Sequence, residues 1–272
     1  VAGILAWQGV QIVSLPIAGL TIGSFGISFL ATVFLAVLVM NAVNFIDGLD
    51  GLAAGIVAIS GLAFFAFAYL LAVVYGFSRA GAPSLTTAVL VGICLGFLPH
   101  NINPAKIFMG DSGALFLGLL MAVSTSVVGG RADPNSQTYT PGQTYFFLAP
   151  LFIPLFILGV PILDTLFAII RRAVKRQGVA TADKGHLHHR LMNLGHGQRR
   201  SVLILWLWTT ILSGFVLYPI FTKAQTALIP IGTAAIALSL YTVLHPEVRR
   251  VRRQSRDEVE PTTELPRPPQ SQ

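Results

Sequence analysis

The feature that most restricts this chain is the length of its uncharged stretches. No Asp, Glu, Lys or Arg occurs between Asp50 and Arg79. The apolar segment 51–76 inside that interval is long enough to cross a bilayer, which takes about 20 helical residues. Other apolar segments, each bounded by Gly, Pro or charge, fall at roughly 2–15, 25–46, 84–99, 110–129, 144–170, 202–221 and 226–244. Hydrocarbon offers no water to backbone N–H and C=O groups, so such segments must satisfy them internally, as helices do. The expected fold is therefore all-α, a polytopic transmembrane helical bundle of about eight spans over residues 1–245. The first segment is short for a span and reads as a truncated helix. Charged residues make up only 11% of the chain, against about 25% in a soluble domain, which excludes a soluble enzyme. The single Cys94 lies in an apolar run, so no disulfide within the chain is expected and the thiol should be buried. No internal repeat is evident, and a two-fold transporter architecture has no support from symmetry.

A net charge of +7 and a pI near 10.0 could suit nucleic acid. The basic residues, however, lie in the loop 171–200 and in the tail rather than on a folded face, so no nucleic-acid partner is expected. With eight alternating spans, every Lys and Arg except Arg79, Arg131 and Lys223 falls on one side. The positive-inside rule makes that side cytoplasmic. Asp47, Asp50, the segment 101–111 and the loop 171–200 come out on the same side, so three polar stretches far apart in sequence can converge on one pocket. The tail 246–272 is basic, then acidic and proline-rich; it reads as disordered and cytoplasmic, its basic start near anionic lipid. Val1 is not a start methionine and no basic region precedes the apolar segment at Ala2, so the chain is expected to lack its N-terminal part rather than to open with a signal peptide.

The first polar stretch places Asn41, Asn44, Asp47 and Asp50 at three-residue steps. On a helix each step turns about 300°, so neighbouring pairs touch. A carboxylate near hydrocarbon costs at least about 2.5–3.5 kcal/mol, so these groups should face a polar cavity or water. Gly48 and Gly51 would let a ligand or another backbone come close. One Asp alone would read as a polar helix end; the whole pattern points to a site. The second stretch runs from Asn101 to Gly113. Pro104 stops the preceding helix, and Gly110-Asp111-Ser112-Gly113 opens the next at an N-terminus that suits an anion. Asp111 can cap that helix, or offer an oxygen to a Mg²⁺ held by one or two carboxylates plus substrate phosphates. Capping leaves Asn101, Lys106 and Phe108 unexplained. Lys106 reads equally as a phosphate ligand and as a positive-inside anchor.

The third stretch, in the basic loop, contains His186, His188, His189 and Arg190. A closed zinc site needs four ligands and no Cys lies nearby. Phosphate binding or proton transfer fits imidazoles beside Lys and Arg better, and a solvated loop is the plain alternative. His100 and His196 read as ordinary interfacial or loop residues. Asp164, inside a span, is a functional candidate by default, or is paired with a neighbour such as Arg171.

These stretches resemble a known family. Asn-Ala-Val-Asn-Phe-Ile-Asp-Gly-Leu-Asp-Gly-Leu-Ala at 41–53 and Pro-Ala-Lys-Ile-Phe-Met-Gly-Asp-Ser-Gly at 104–113 are similar to two signatures of the polyprenyl-phosphate N-acetylhexosamine-1-phosphate transferases, the MraY/WecA type. Lys-Gly-His-Leu-His-His-Arg-Leu at 184–191 resembles the His motif of the WecA/TagO branch. The likeness covers residues 1 to 245. It implies an enzyme that moves a sugar-1-phosphate, N-acetylglucosamine-1-phosphate in this branch, from a UDP-sugar to a polyprenyl phosphate, with Mg²⁺ (or Mn²⁺) and release of UMP. That step initiates cell-envelope polysaccharide synthesis at the bacterial plasma membrane. By the same resemblance Asp111 is the metal ligand, and Asp47, Asp50, His188 and His189 belong to the catalytic set. Gly48, Leu49, Asp50, Asn101 and Phe108 line the uridine pocket, Asn44 and Asp47 sit beside the diphosphate, and Lys106, His186 and Arg190 complete the substrate-binding group. A homodimer is compatible with it. One departure stands out: the family carries an Asp-Asp motif on an earlier helix, and no Asp precedes Asp47 here. Two rival readings are a cation-coupled transporter using Asp47, Asp50 and Asp164, and a non-catalytic relative. A transporter would spread its ionisable groups through membrane depth, whereas most of these sit at one surface.

Overall fold

The computed structural model describes residues 1–10, 15–17, 20–22, 25–74, 80–128, 157–174, 191–192, 194, 196–221 and 228–244. The expected tail and most of the loop 171–200 lie outside the described residues. A short helix α1 (Ala2–Trp7) is followed by a two-stranded antiparallel ladder, β1 (Leu15–Ile17) and β2 (Leu20–Ile22), in which Pro16 faces Thr21. Then come α2 (Phe25–Ile46), α3 (Leu52–Val73), α4 (Gly81–Asn101), α5 (Gly110–Val128), α6 (Gly159–Val174), α7 (Gln198–Phe221) and α8 (Leu228–Leu244). The helical expectation holds, with the small ladder as its one exception among the described residues. The segment 2–15 is not one helix: α1 stops before Gly9, whose φ of 93° no continuing helix can hold. Among the described residues five helices, α2, α3, α4, α5 and most of α7, are long and apolar enough to cross a membrane; the first part of the marked segment 144–170 lies outside the described residues.

Apolar residues ring these helices rather than lining one stripe, as expected of helices with protein on one side and lipid on the other. Outward faces carry Leu30, Phe34, Leu62, Leu85, Val89, Phe116 and Leu203 exposed. Inward faces build two clusters. The larger packs Val39, Val43, Phe64, Phe67, Leu90 and Met121 between α2, α3, α4 and α5. The smaller gathers Ile46, Leu49, Leu52, Ile56, Leu191, Ile204 and Leu205 where α2, α3 and α7 meet. Central α3 buries every residue from Leu52 to Ala58.

Two glycines set the spacing. A Cβ on Gly118 of α5 would sit 2.6 Å from the Met40 Cα of α2, so the helices cross with backbones touching. On α3, a Cβ at Gly55 would overlap the Trp206 ring of α7. Each crossing lies about two turns or less below the polar ends of its helices, and so fixes which polar groups meet there.

Candidate active site at one end of the bundle

Helix α2 ends at Ile46, and the chain turns through residues 47–51 into α3. The turn closes on itself, with the Asp47 amide donating to the Asn44 carbonyl at 3.2 Å and that of Leu52 to the Leu49 carbonyl at 3.0 Å. Gly51, at φ 78°, supplies the left-handed residue the turn requires. The three-residue stepping thus describes a helical face only for Asn41 and Asn44. Asp47 and Asp50 stand in the turn, which aims them at different neighbours. The Asn41 amide is spent on its own helix, donating to the Val37 carbonyl at 2.7 Å.

Asn44 reaches across the α2–α5 crossing, its Nδ2 donating to Asp111 Oδ1 at 3.1 Å. Asp111 lies in the first turn of α5, directly after Gly110 with φ 67°. Its carboxylate is thereby committed to a neighbour on another helix, which local capping does not explain. Asp47 joins the same cluster. Burial pushes its carboxyl up to about 6, the nearby Asp111 charge pushes the same way, and a hydrogen bond from the Gly110 amide pulls against both.

Asp50 faces the other loop. Asn103 Nδ2 at 3.0 Å and the Ala105 amide at 3.1 Å both donate to its Oδ2. Buried Asn101 ties the two loops together: its Oδ1 accepts from the Gly51 amide at 3.0 Å and its Nδ2 donates to the Ile107 carbonyl at 2.9 Å. The Lys106 and Ile107 amides both donate to the His100 carbonyl, at 2.8 and 3.1 Å. This folds the segment 102–109 back over the end of α4 and leaves Lys106 and Phe108 exposed. Gly48 is exposed as well, whereas Leu49 is buried in the same apolar cluster as Leu191, the neighbour of Arg190 in sequence. His186, His188, His189 and Arg190 themselves lie outside the described residues.

Two cavities flank the loops. One of about 210 Å³ lies between α4 and α5 beside Phe108, Met109 and Gly113. Another, about 180 Å³, opens between Asp50, Asn103, Arg199 and Trp206. The charge pattern alone takes Arg199 for a topological anchor and passes over Asn103. In the structure Arg199 Nε donates to Asn103 Oδ1 at 3.2 Å, and its Nη2 to the Asn103 carbonyl at 3.0 Å. The only local signal for that pairing is the doubled amide in Asn101-Ile102-Asn103.

Among the described residues no group of three or more His, Cys, Asp or Glu could hold a metal ion. The close pair Asp47 and Asp111 nonetheless fits a hard divalent cation of the Mg²⁺ type, which takes one or two carboxylates and completes its shell with water and phosphate oxygens. Mutual repulsion and desolvation are what such a cation relieves. His196, by contrast, is buried, its Nε2 lying 3.0 Å from the Thr242 carbonyl and its ring 6.4 Å from that of Tyr241. It seats α7 on α8 rather than serving as an ordinary loop residue.

Apolar helices that turn carboxylates, amides and a guanidinium toward one another at a single end define a polytopic membrane protein with a polar site at its surface. Residues 1–129, a little under half of the chain, match the model of glycosyl transferase family 4. It is 39% identical to decaprenyl-phosphate N-acetylglucosaminephosphotransferase of Mycolicibacterium smegmatis over 257 residues, 92% of this chain and 62% of the relative. The similarly named protein of Mycobacterium leprae is 40% identical over 225 residues, 82% of this chain and 56% of the relative. A phospho-N-acetylmuramoyl-pentapeptide-transferase of Chloroherpeton thalassium is 34% identical over 191 residues, 64% and 46% respectively. The chain thus spans less than two thirds of the length of the curated relatives it matches.

Proposed function

We propose that the full-length protein moves an N-acetylhexosamine-1-phosphate, N-acetylglucosamine-1-phosphate in particular, from a UDP-sugar to a polyprenyl phosphate. UMP leaves on the cytoplasmic side of a bacterial plasma membrane. The observation that carries this reading is the meeting of Asn44, Asp47 and Asp111 beside the loop that holds Asp50. An oxygen of the lipid phosphate attacks the β-phosphorus of the UDP-sugar and forms a new P–O bond. The bond from that phosphorus to the bridging oxygen breaks, and UMP departs with the electron pair.

Both reactants are anions, so the residues must hold them together against their repulsion. Asp111 is the proposed ligand of a Mg²⁺ or Mn²⁺ ion, with Asp47 beside it, and the ion when bound supplies the positive charge that offsets the two phosphates. Asn44 fixes the rotamer of Asp111. The backbone amides opening α5 favour a phosphate oxygen nearby. Asp50 keeps Oδ1 for a donor on the nucleotide, such as a uracil N–H or a ribose hydroxyl. His186, His188, His189 and Arg190 serve the phosphate and sugar end, and Lys106 and Phe108 stand exposed for the nucleotide. A lipid acceptor explains why the site lies at the ends of apolar helices: its hydrocarbon remains in the bilayer while its phosphate reaches the polar loops.

The test is UMP release by purified full-length protein supplied with UDP-N-acetylglucosamine, polyprenyl phosphate and Mg²⁺. Asp111→Asn should lower kcat by about 10²–10³. Unchanged Mg²⁺-dependent release in that variant would sink the assignment of the metal ligand.

A further inference from the structure

Arg199 stands exposed at the first turn of α7, where an ordinary positive-inside anchor would leave its guanidinium to water and lipid phosphate. Its donors instead fork across a single residue, binding both the side-chain and the main-chain oxygen of Asn103. On its other side Asn103 donates to Asp50 Oδ2, the oxygen that also receives the Ala105 amide. The order of groups in this chain is forced. A guanidinium can only donate and an ionised carboxylate can only accept, so the amide between them has one workable orientation, oxygen toward Arg199 and nitrogen toward Asp50. Without the guanidinium the side-chain and main-chain oxygens of Asn103 both lose their donor, and the amide is held from the Asp50 side alone. The reach of Arg199 is itself fixed, because Trp206, two turns further along the same face of α7, lies against Gly55 of α3.

We propose that Arg199 is a positioning residue for nucleotide-sugar binding, acting through Asn103 to hold the Asp50 carboxylate with one oxygen engaged and the other turned to the ligand. The inference rests on the function proposed above. It assigns to α7, the helix that follows the His-containing loop, a direct part in shaping the nucleotide end of the site. Lysine cannot replace the arginine fully, since a single ammonium does not span the side-chain and backbone oxygens as the planar fork does.

The experiment uses full-length protein in detergent, assayed for UMP release with each substrate varied in turn, and for equilibrium binding of UDP-N-acetylglucosamine. Arg199→Gln and Asn103→Ala should each raise the KM and the Kd for the nucleotide sugar about tenfold, the size expected for losing a charge-assisted hydrogen bond. The KM for polyprenyl phosphate should stay the same, and Arg199→Lys should recover part of the loss. In an Asp50→Asn background, Arg199→Gln should add almost nothing, because residues acting through one another are not additive. A folded Arg199→Gln protein with unchanged nucleotide affinity overturns the inference, as does an effect that adds fully to that of Asp50→Asn. Should Arg199→Gln not fold, Asn103→Ala carries the same cycle with Asp50→Asn. A wild-type protein that neither binds the nucleotide sugar nor releases UMP overturns the functional reading and this inference with it, whereas an active wild type with an indifferent Arg199→Gln removes this inference alone.

Discussion

Asp47 shows how a site residue can be carried at a cost to the fold. Its carboxyl titrates near 6 in the folded protein instead of 3.8, chiefly because it is partly desolvated and secondly because Asp111 is close. The folded state therefore holds its proton more tightly than the unfolded chain, and stability contributed by that proton is lost as pH rises from about 4 to about 6. Asp47→Asn removes the penalty. In metal-free protein the variant should melt higher than wild type at pH 7.5 and the same at pH 4, a comparison that a thermal scan in detergent makes directly. Asn101 is the opposite case. Both ends of its buried amide are used, one on Gly51 and one on Ile107. Asn101→Ala leaves the buried Gly51 N–H unpaired, at about 1–3 kcal/mol, and should lower the melting temperature at every pH.

At the scale of elements, the helix crossings decide which polar groups meet. Gly118 against Met40 brings α5 onto α2 closely enough for Asn44 to reach Asp111. Gly118→Val should destabilise the protein by about 1–3 kcal/mol or more through overpacking, and should remove UMP release with it. Gly92 and Gly96 of α4 have open space around them. Alanine at either should be neutral or stabilise by up to about 1 kcal/mol, so thermal melts of the two sets separate crowding from simple loss of glycine. Most of these elements were legible in the sequence. The segment 25–46 matches α2, and 110–129 matches α5 to within a residue, because charge-free length and flanking Gly or Pro mark the ends of a helix that must cross hydrocarbon. What could not be read was the turn after Ile46. Regular spacing suggested that Asp47 and Asp50 continued a helical face, yet Gly48 and a left-handed Gly51 bend the chain away. The role of Asn103 as partner of Asp50 and Arg199 was nearly as hidden, since those residues lie 53 and 96 positions away and the doubled amide around Ile102 does not say what it meets.

For the molecule as a whole, the convergence of five helix ends was foreshadowed by the distribution of Lys and Arg, which placed the polar stretches on one side before any contact was known. Orientation has a direct test. Cys94 is buried and should be shielded from a bulky reagent, so Lys106→Cys, compared with the unsubstituted protein, serves as a reporter. A membrane-impermeant maleimide should label it in inverted vesicles and not in intact cells. The reverse result would place the site outside and end the proposal of a cytoplasmic nucleotide donor. The backbone contact at Gly118 also has a consequence for what the protein can become. A gap set by side chains can be retuned by swapping one rotamer for another, but one set by two main chains pressed together is a fixed gauge. The space between Asp47 and Asp111 is measured against it, and any change in that spacing would have to begin in the interior of the helix pair, two turns away from the carboxylates themselves.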